Sequence, residues 1–144
     1  KTKMSKEFIP YEEALALKEL GFDEKTLNLY RNLIKTTVLS LLFDRDSVEE
    51  DDLFENFNDN NGWWLKHNDA EFTSAPTYQQ AFRWFREKYG FYSLISIHND
   101  FKVMRNNGDF GSLHFESGRY NTYQEAQDAC LRKLIEIVKA KQRR

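Results

Sequence analysis

Apolar residues recur at helical spacing in three stretches of the chain, and each stretch opens with a helix-start signal. Pro10 opens "PYEEALALKELGF", where a missing N–H costs nothing in the first turn and Glu12 and Glu13 face the positive end of the dipole. Thr77 opens "TYQQAFRWFREKYGF" and Thr122 opens "TYQEAQDACLRKLIEIV", with Gln80 and Glu125 completing capping boxes. The pattern predicts helices over about Tyr11–Leu20, from Thr77 to Tyr89, and over about Tyr123–Lys139. Gly21 is suited to a left-handed C-cap. In the middle helix Tyr78, Ala81, Phe82, Phe85 and Tyr89 share one face, and Trp84 flanks it. In the last, Tyr123, Ala126, Gln127, Cys130, Leu134, Ile137 and Val138 form one stripe.

Between the first two helices the pattern is mixed. Leu27, Tyr30, Ile34, Thr37, Val38 and Leu41 keep helical spacing after Asp23, which predicts a second helix. Its end, "VLSLLF" over Val38–Phe43, reads as helix or as a short strand, with helix preferred. Ser47 and Glu50 form a further capping box, placing Val48, Leu53, Phe54 and Phe57 on the inner side of a short helix. Residues 25–61 are thus read as a helical insertion. "NDNNG" is a turn, and "GWWLKH" with "AEFTS" reads as a further short hairpin.

Beyond Gly90 the period changes to two. "FYSLISIHN", "FKVMR" and the stretch after Asn107-Gly108 predict three strands, with Asn99-Asp100 a less specific turn between the first two. The sum is an α+β chain with a single domain over residues 1–144. A three-stranded antiparallel meander and the hairpin are flanked by four to five helices, and residues 77–144 form a helix-β-β-β-helix part.

Composition adds little to this picture, and charge adds more. At 144 residues with 40% hydrophobic content, the chain can bury a core, and 15% aromatic content fills it with rings. Residues 1–76 carry 9 basic and 16 acidic side chains, whereas residues 77–144 carry 12 and 7. Such asymmetry serves attraction between the two halves of one domain, or a face for nucleic acid or another acidic partner. Cys130 has no second cysteine to pair with. No run approaches the roughly 18 apolar residues of a membrane span, and "KTKMSKEFIPYEE" lacks a secretory core. The expectation is a cytoplasmic protein, in a host cell or associated with a virion.

Candidate chemistry is sparse. His67, His98 and His114 lack metal-ligand spacing, so no metal or cofactor is expected. Oxygen-rich "DRDSVEEDDLFE" and "NDNNG" miss the EF-hand positions, since Glu49 and Trp64 stand where glycine is required. Phosphate-loop, dinucleotide and nucleophile-elbow motifs are absent. An enzyme would need His98, Asp100 and His114 to converge. A nucleic-acid module would use Arg83, Arg86, Lys102, Arg105 and Arg119. A protein-binding surface would use the rings of Trp63, Trp64 and Trp84. "VEEDDLFENF" is a solvated helix face or a dock for a basic partner.

"YEEALALKELGFDE", "APTYQQAFRWFREKYG" and "TYQEAQDACLRKLIEIVK" resemble a family of small uncharacterised bacterial and prophage proteins. The resemblance covers the first two dozen residues and most of the chain from Ser74, while the stretch from Lys25 to about Asn61 departs from it. It carries over no catalytic residue, because it implies no activity. The expectation is therefore a non-enzymatic accessory protein of a bacterium or phage that binds a protein partner or itself, the alternative being nucleic-acid binding. Neither a small-molecule ligand nor a membrane enters.

Overall fold

A computed structural model describes residues 7–26, 28–33, 37–41, 58, 70–107 and 110–142. It mixes helix and strand: three helices and two three-stranded antiparallel sheets among the described residues. The chain, expected to be one domain, divides into two compact units, Lys1–Thr77 and Tyr78–Arg144. No helix among the described residues is long and apolar enough to cross a membrane.

The first unit holds α1 (Tyr11–Glu19), β1 (Asn28–Leu33), β2 (Thr37–Leu41) and β3 (Ala70–Ala75). Pro10 is the N-cap, and its carbonyl accepts the first helical bond from the Ala14 amide at 2.9 Å. Gly21, at φ 96°, closes α1. There the Phe22 amide reaches Leu17 O at 2.9 Å and the Gly21 amide reaches Lys18 O at 3.1 Å, a paired closure of orphan carbonyls. The helix expected after Asp23 is not formed: Asn28–Leu33 and Thr37–Leu41 are antiparallel strands, so the reading of Val38–Leu41 as helix is corrected to strand. The competing signal was the β-branched run Ile34, Thr36, Thr37, Val38, which fits a pleated surface better than a helix.

β1 is the central strand, in the order β2-β1-β3. Its partner β3 is the segment expected to pair with "GWWLKH"; Tyr30 pairs with Thr73 and Leu39 instead. Residues 62–67 lie outside the described residues, as do Ser47–Phe57 with their expected short helix, and Trp63 and Trp64. Asn58 links two parts of the unit, donating to Phe22 O at 3.0 Å and accepting from the Ser74 amide at 2.9 Å. Phe8, Ile9, Ala14, Leu17, Phe22, Leu29 and Ala75 are buried. Tyr30 donates to Ile9 O at 2.8 Å and meets Tyr11 edge-on at 5.4 Å. Burial, reinforced by the nearby Glu13 carboxylate, pushes its phenol up to about 12.

The second unit runs α2 (Tyr78–Tyr89), β4 (Phe91–Ile95), β5 (Phe101–Asn107), β6 (Phe110–Glu116) and α3 (Tyr123–Gln142). The strands follow one another in the order β4-β5-β6, and both helices pack on one side, with α3 touching β4, β5 and α2. Thr122 caps α3 by accepting from the Glu125 amide at 3.1 Å. Gly90, at φ 74°, ends α2 with its amide on Arg86 O at 3.0 Å, and its carbonyl accepts from the Asn106 amide at 3.0 Å to start the sheet. Phe85, Phe91, Phe101, Val103, Cys130, Leu131, Leu134 and Val138 form the core. Tyr123, assigned to the buried stripe of α3, is exposed at its first turn. The Cys130 thiol is free and buried; burial pushes it up to about 12, against a smaller pull from the Ser93 hydroxyl.

Candidate protein-binding face

Alternation along β4 and β5 sorts their residues onto two faces. Phe91 and, on β5, Phe101 and Val103 are buried, whereas Tyr92, Leu94 and Lys102 are exposed. The strand register then lines up the outer face in two cross-strand rows. One row is Tyr92, Met104 and Leu113; the other is Leu94, Lys102 and Glu116. Leu94 is 61% exposed, Leu113 53% and Tyr92 43%, so an apolar row lies open beside a row that ends in a cation and an anion. The sequence offered this signal in its period-two spacing, yet the expected sites were sought among tryptophans and arginines instead.

The turn joining β4 to β5 extends this face. The Asn99 amide donates to Ser96 O at 3.1 Å, and the Ser96 amide donates to Asp100 O at 2.9 Å. Asn99 takes φ 60°, the left-handed residue that a three-residue hairpin loop requires. Ser96 Oγ donates to Asp100 Oδ1 and accepts from the His98 amide at 3.0 Å. This local bonding leaves Ile97 at the tip, 92% exposed.

Expected site residues fall elsewhere. Trp84, sought on an exposed aromatic surface, is 3% exposed and lies edge-on to Phe85 and Tyr89 at 5.1 and 5.4 Å. Its indole is therefore packing, and that expectation is corrected. His98 and Asp100 belong to the turn beyond the last residue of β4. His114 sits in the register shift of β6, opposite Val103 and Met104, with its ring 5.2 Å from Phe91, the first residue of β4. The two ends are about 13 Å apart along the strand, so the three side chains do not share one pocket. No three His, Cys, Asp or Glu side chains come together at metal-binding spacing among the described residues.

The five expected nucleic-acid cations disperse into three places. Arg83 and Arg86 ride on α2, with Arg86 in its last turn, and Arg105 stands over Phe91 at 5.4 Å. Lys102 joins the outer sheet face opposite Glu116. Arg119 precedes Tyr120, whose amide donates to Asn99 O at 2.8 Å beside the β4–β5 turn.

On the helix side an open groove of about 550 Å³ runs between β5–β6 and α3. Phe101 forms its floor, stacked on Tyr120 at 6.1 Å and tilted against Phe115 at 5.6 Å. Four of its five charged residues pair with one another, Arg132 with Asp128 at 3.1 Å and Lys133 with Glu136 at 3.0 Å while lying 4.2 Å over Phe115; the fifth, Glu125, is exposed. Paired charges over a closed ring stack give it little to offer a ligand. Set against protein-family models, curated proteins and solved structures, the chain finds no match.

Proposed function

We propose that the chain is a non-enzymatic binding protein whose interaction surface is the outer face of the β4-β5-β6 sheet, and that a second copy of the chain is its partner. The observation that carries this reading is the open apolar row of Tyr92, Met104 and Leu113 beside Leu94, on a sheet whose other face is filled by two helices. Such a row loses contact with water only when another surface covers it.

Self-complementarity favours a second copy. Lys102 and Glu116 stand next to each other in register, so a two-fold axis through the face sets the cation of each copy against the anion of the other. Three strands about 4.8 Å apart and some five residues long give a flat patch of under ~300 Å², well below the ~800 Å² per partner of a standard interface. The association is therefore weak and concentration-dependent. It suits an accessory role in the bacterial or prophage setting that the sequence motifs imply.

Sedimentation velocity over a hundredfold concentration range tests it. The wild-type mass is expected to rise towards the dimer, and Leu94→Asp with Leu113→Asp to hold it at the monomer. Wild type that remains monomeric at the highest concentration removes the reading.

A further inference from the structure

The far end of the second unit, where both helices stop, gathers cations that the sheet face does not use. Lys141 lies 5.1 Å over the Phe91 ring and Arg105 lies 5.4 Å from the same centroid, so the two charges stand within about 10.5 Å of each other. Lys88 lies 5.2 Å over Trp84 and 5.7 Å from Tyr89, and the Tyr89 hydroxyl meets Gln142 Nε2 at 3.5 Å, which brings the last turns of α2 and α3 side by side. Those turns also carry Arg86 and Lys139. Glu87, exposed, is the one carboxylate of α2.

Part of this charge answers the two helix C-termini. Each contributes about half a negative charge, so together they offset about one cation and Glu87 offsets another. Lys139 has a further interaction of its own, and the other four cations at this end therefore leave an excess of about two. Lys88, Arg105 and Lys141 form no ion pair with a carboxylate among the described residues. Their charged groups themselves stand over ring faces, and Lys88 and Lys141 are exposed, which keeps both within reach of an anion arriving from water.

We propose that this end of the second unit binds the phosphate groups of a nucleic-acid strand through Lys88, Arg105 and Lys141, with the exposed His114 ring beside Phe91 at its edge. Arg105 and Lys141 share the Phe91 ring while Lys88 stands over Trp84 and Tyr89, and two groups of cations on different rings match successive phosphates better than a single one. The second unit's balance of 12 basic to 7 acidic residues, set against 9 to 16 before it, biases a polyanion towards this unit. Lys102 and Arg119 stand apart from this cluster in the fold and take no part.

Fluorescence anisotropy of a labelled 20-nucleotide single strand, as DNA and as RNA, with the full-length chain at 20 mM salt tests the site. Binding is expected, with log K falling linearly against log salt. Lys88→Glu with Lys141→Glu, both at exposed positions, is expected to weaken it and to flatten the slope by about 1.4. Arg105→Gln is expected to flatten it by about 0.7, and Arg119→Glu, at an exposed position outside the cluster, to leave it unchanged. Absence of binding at 20 mM salt by a chain with native circular dichroism overturns the proposal. So does equal loss with Arg119→Glu, or retention only by anionic phospholipid vesicles. Inorganic phosphate shifting the amide signals around Phe91 without any strand binding shows a free-anion site and overturns the nucleic-acid assignment.

Discussion

Tyr78, the first residue of α2, donates its hydroxyl to Asp128 Oδ1 of α3 at 2.9 Å, and the other oxygen of the same carboxylate holds Arg132 at 3.1 Å. The two partners differ in what water can replace. Tyr78 is buried, whereas the Arg132 side chain is 65% exposed. Tyr78→Phe keeps the ring and leaves the carboxylate one donor short, with an expected cost of about 1.5–2 kcal/mol. Arg132→Ala removes an exposed i,i+4 pair, with an expected cost of about 0.5 kcal/mol or less. Urea unfolding of both variants gives the comparison, and equal midpoints would contradict it.

Gly90 is required for its backbone alone. A Cβ there would meet nothing nearer than Asn106 O at 4.0 Å, yet φ is 74°. Gly90→Ala is therefore expected to destabilise by about 1–2 kcal/mol, and Gly90→Asn by less, because asparagine tolerates the left-handed region. A crowded site would reverse that order, the larger side chain costing more. Thermal unfolding of the pair distinguishes the two causes.

Local signals in the sequence carried the helices and the second sheet. Pro10, Gly21, Thr122 and Gly90 end or begin elements where their backbone chemistry puts them, and Tyr92 against Phe101 and Val103 shows period two sorting residues onto opposite faces. Of the first sheet only the strand over "AEFTS" was legible, as β3; β1, β2 and their pairing were not, for two physical reasons. Tyr30, Ile34 and Val38 satisfy a helical period by chance while the β-branched residues between them favour a strand. The partner that decides the matter is β3, which begins 37 residues after Leu33, so no local window contains the pairing. Trp84 was misjudged because a helix lying against both a sheet and a second helix buries more than one stripe. The outer face was missed because alternation shows which residues point outward but not that Leu94 and Leu113 stay exposed there.

Alkaline pH acts on both units through buried weak acids. Tyr30 is pushed up to about 12 from 10.0, and Cys130 to about 12 from 9.0. A raised pKa means the folded state holds its proton longer than the unfolded chain. That stability is complete below the unfolded value and is lost as pH rises through the folded one. The Cys130 contribution is expected to fade from pH 9 to 12 and the Tyr30 contribution from pH 10 to 12. Cys130→Ala therefore flattens most of the loss between pH 9 and 10, where the unfolded tyrosine is only beginning to ionise. Denaturant midpoints at pH 8, 9 and 10 check it, and parallel curves for wild type and variant would refute it.

Lys102 and Glu116 face each other across β5 and β6, and their exchange separates folding from association. Within one copy the pair contributes about 0.2–1 kcal/mol, so Lys102→Glu is expected to lower stability by no more than about 1 kcal/mol. Across a two-fold axis the same change sets like charges against each other in both halves of the interface, and dimerisation is expected to weaken by at least about tenfold. The double exchange, Lys102→Glu with Glu116→Lys, restores opposite charges within and between copies. It is expected to recover both the unfolding midpoint and the dimer, less completely at high salt. Recovery of the midpoint without the dimer would place any self-association on another surface.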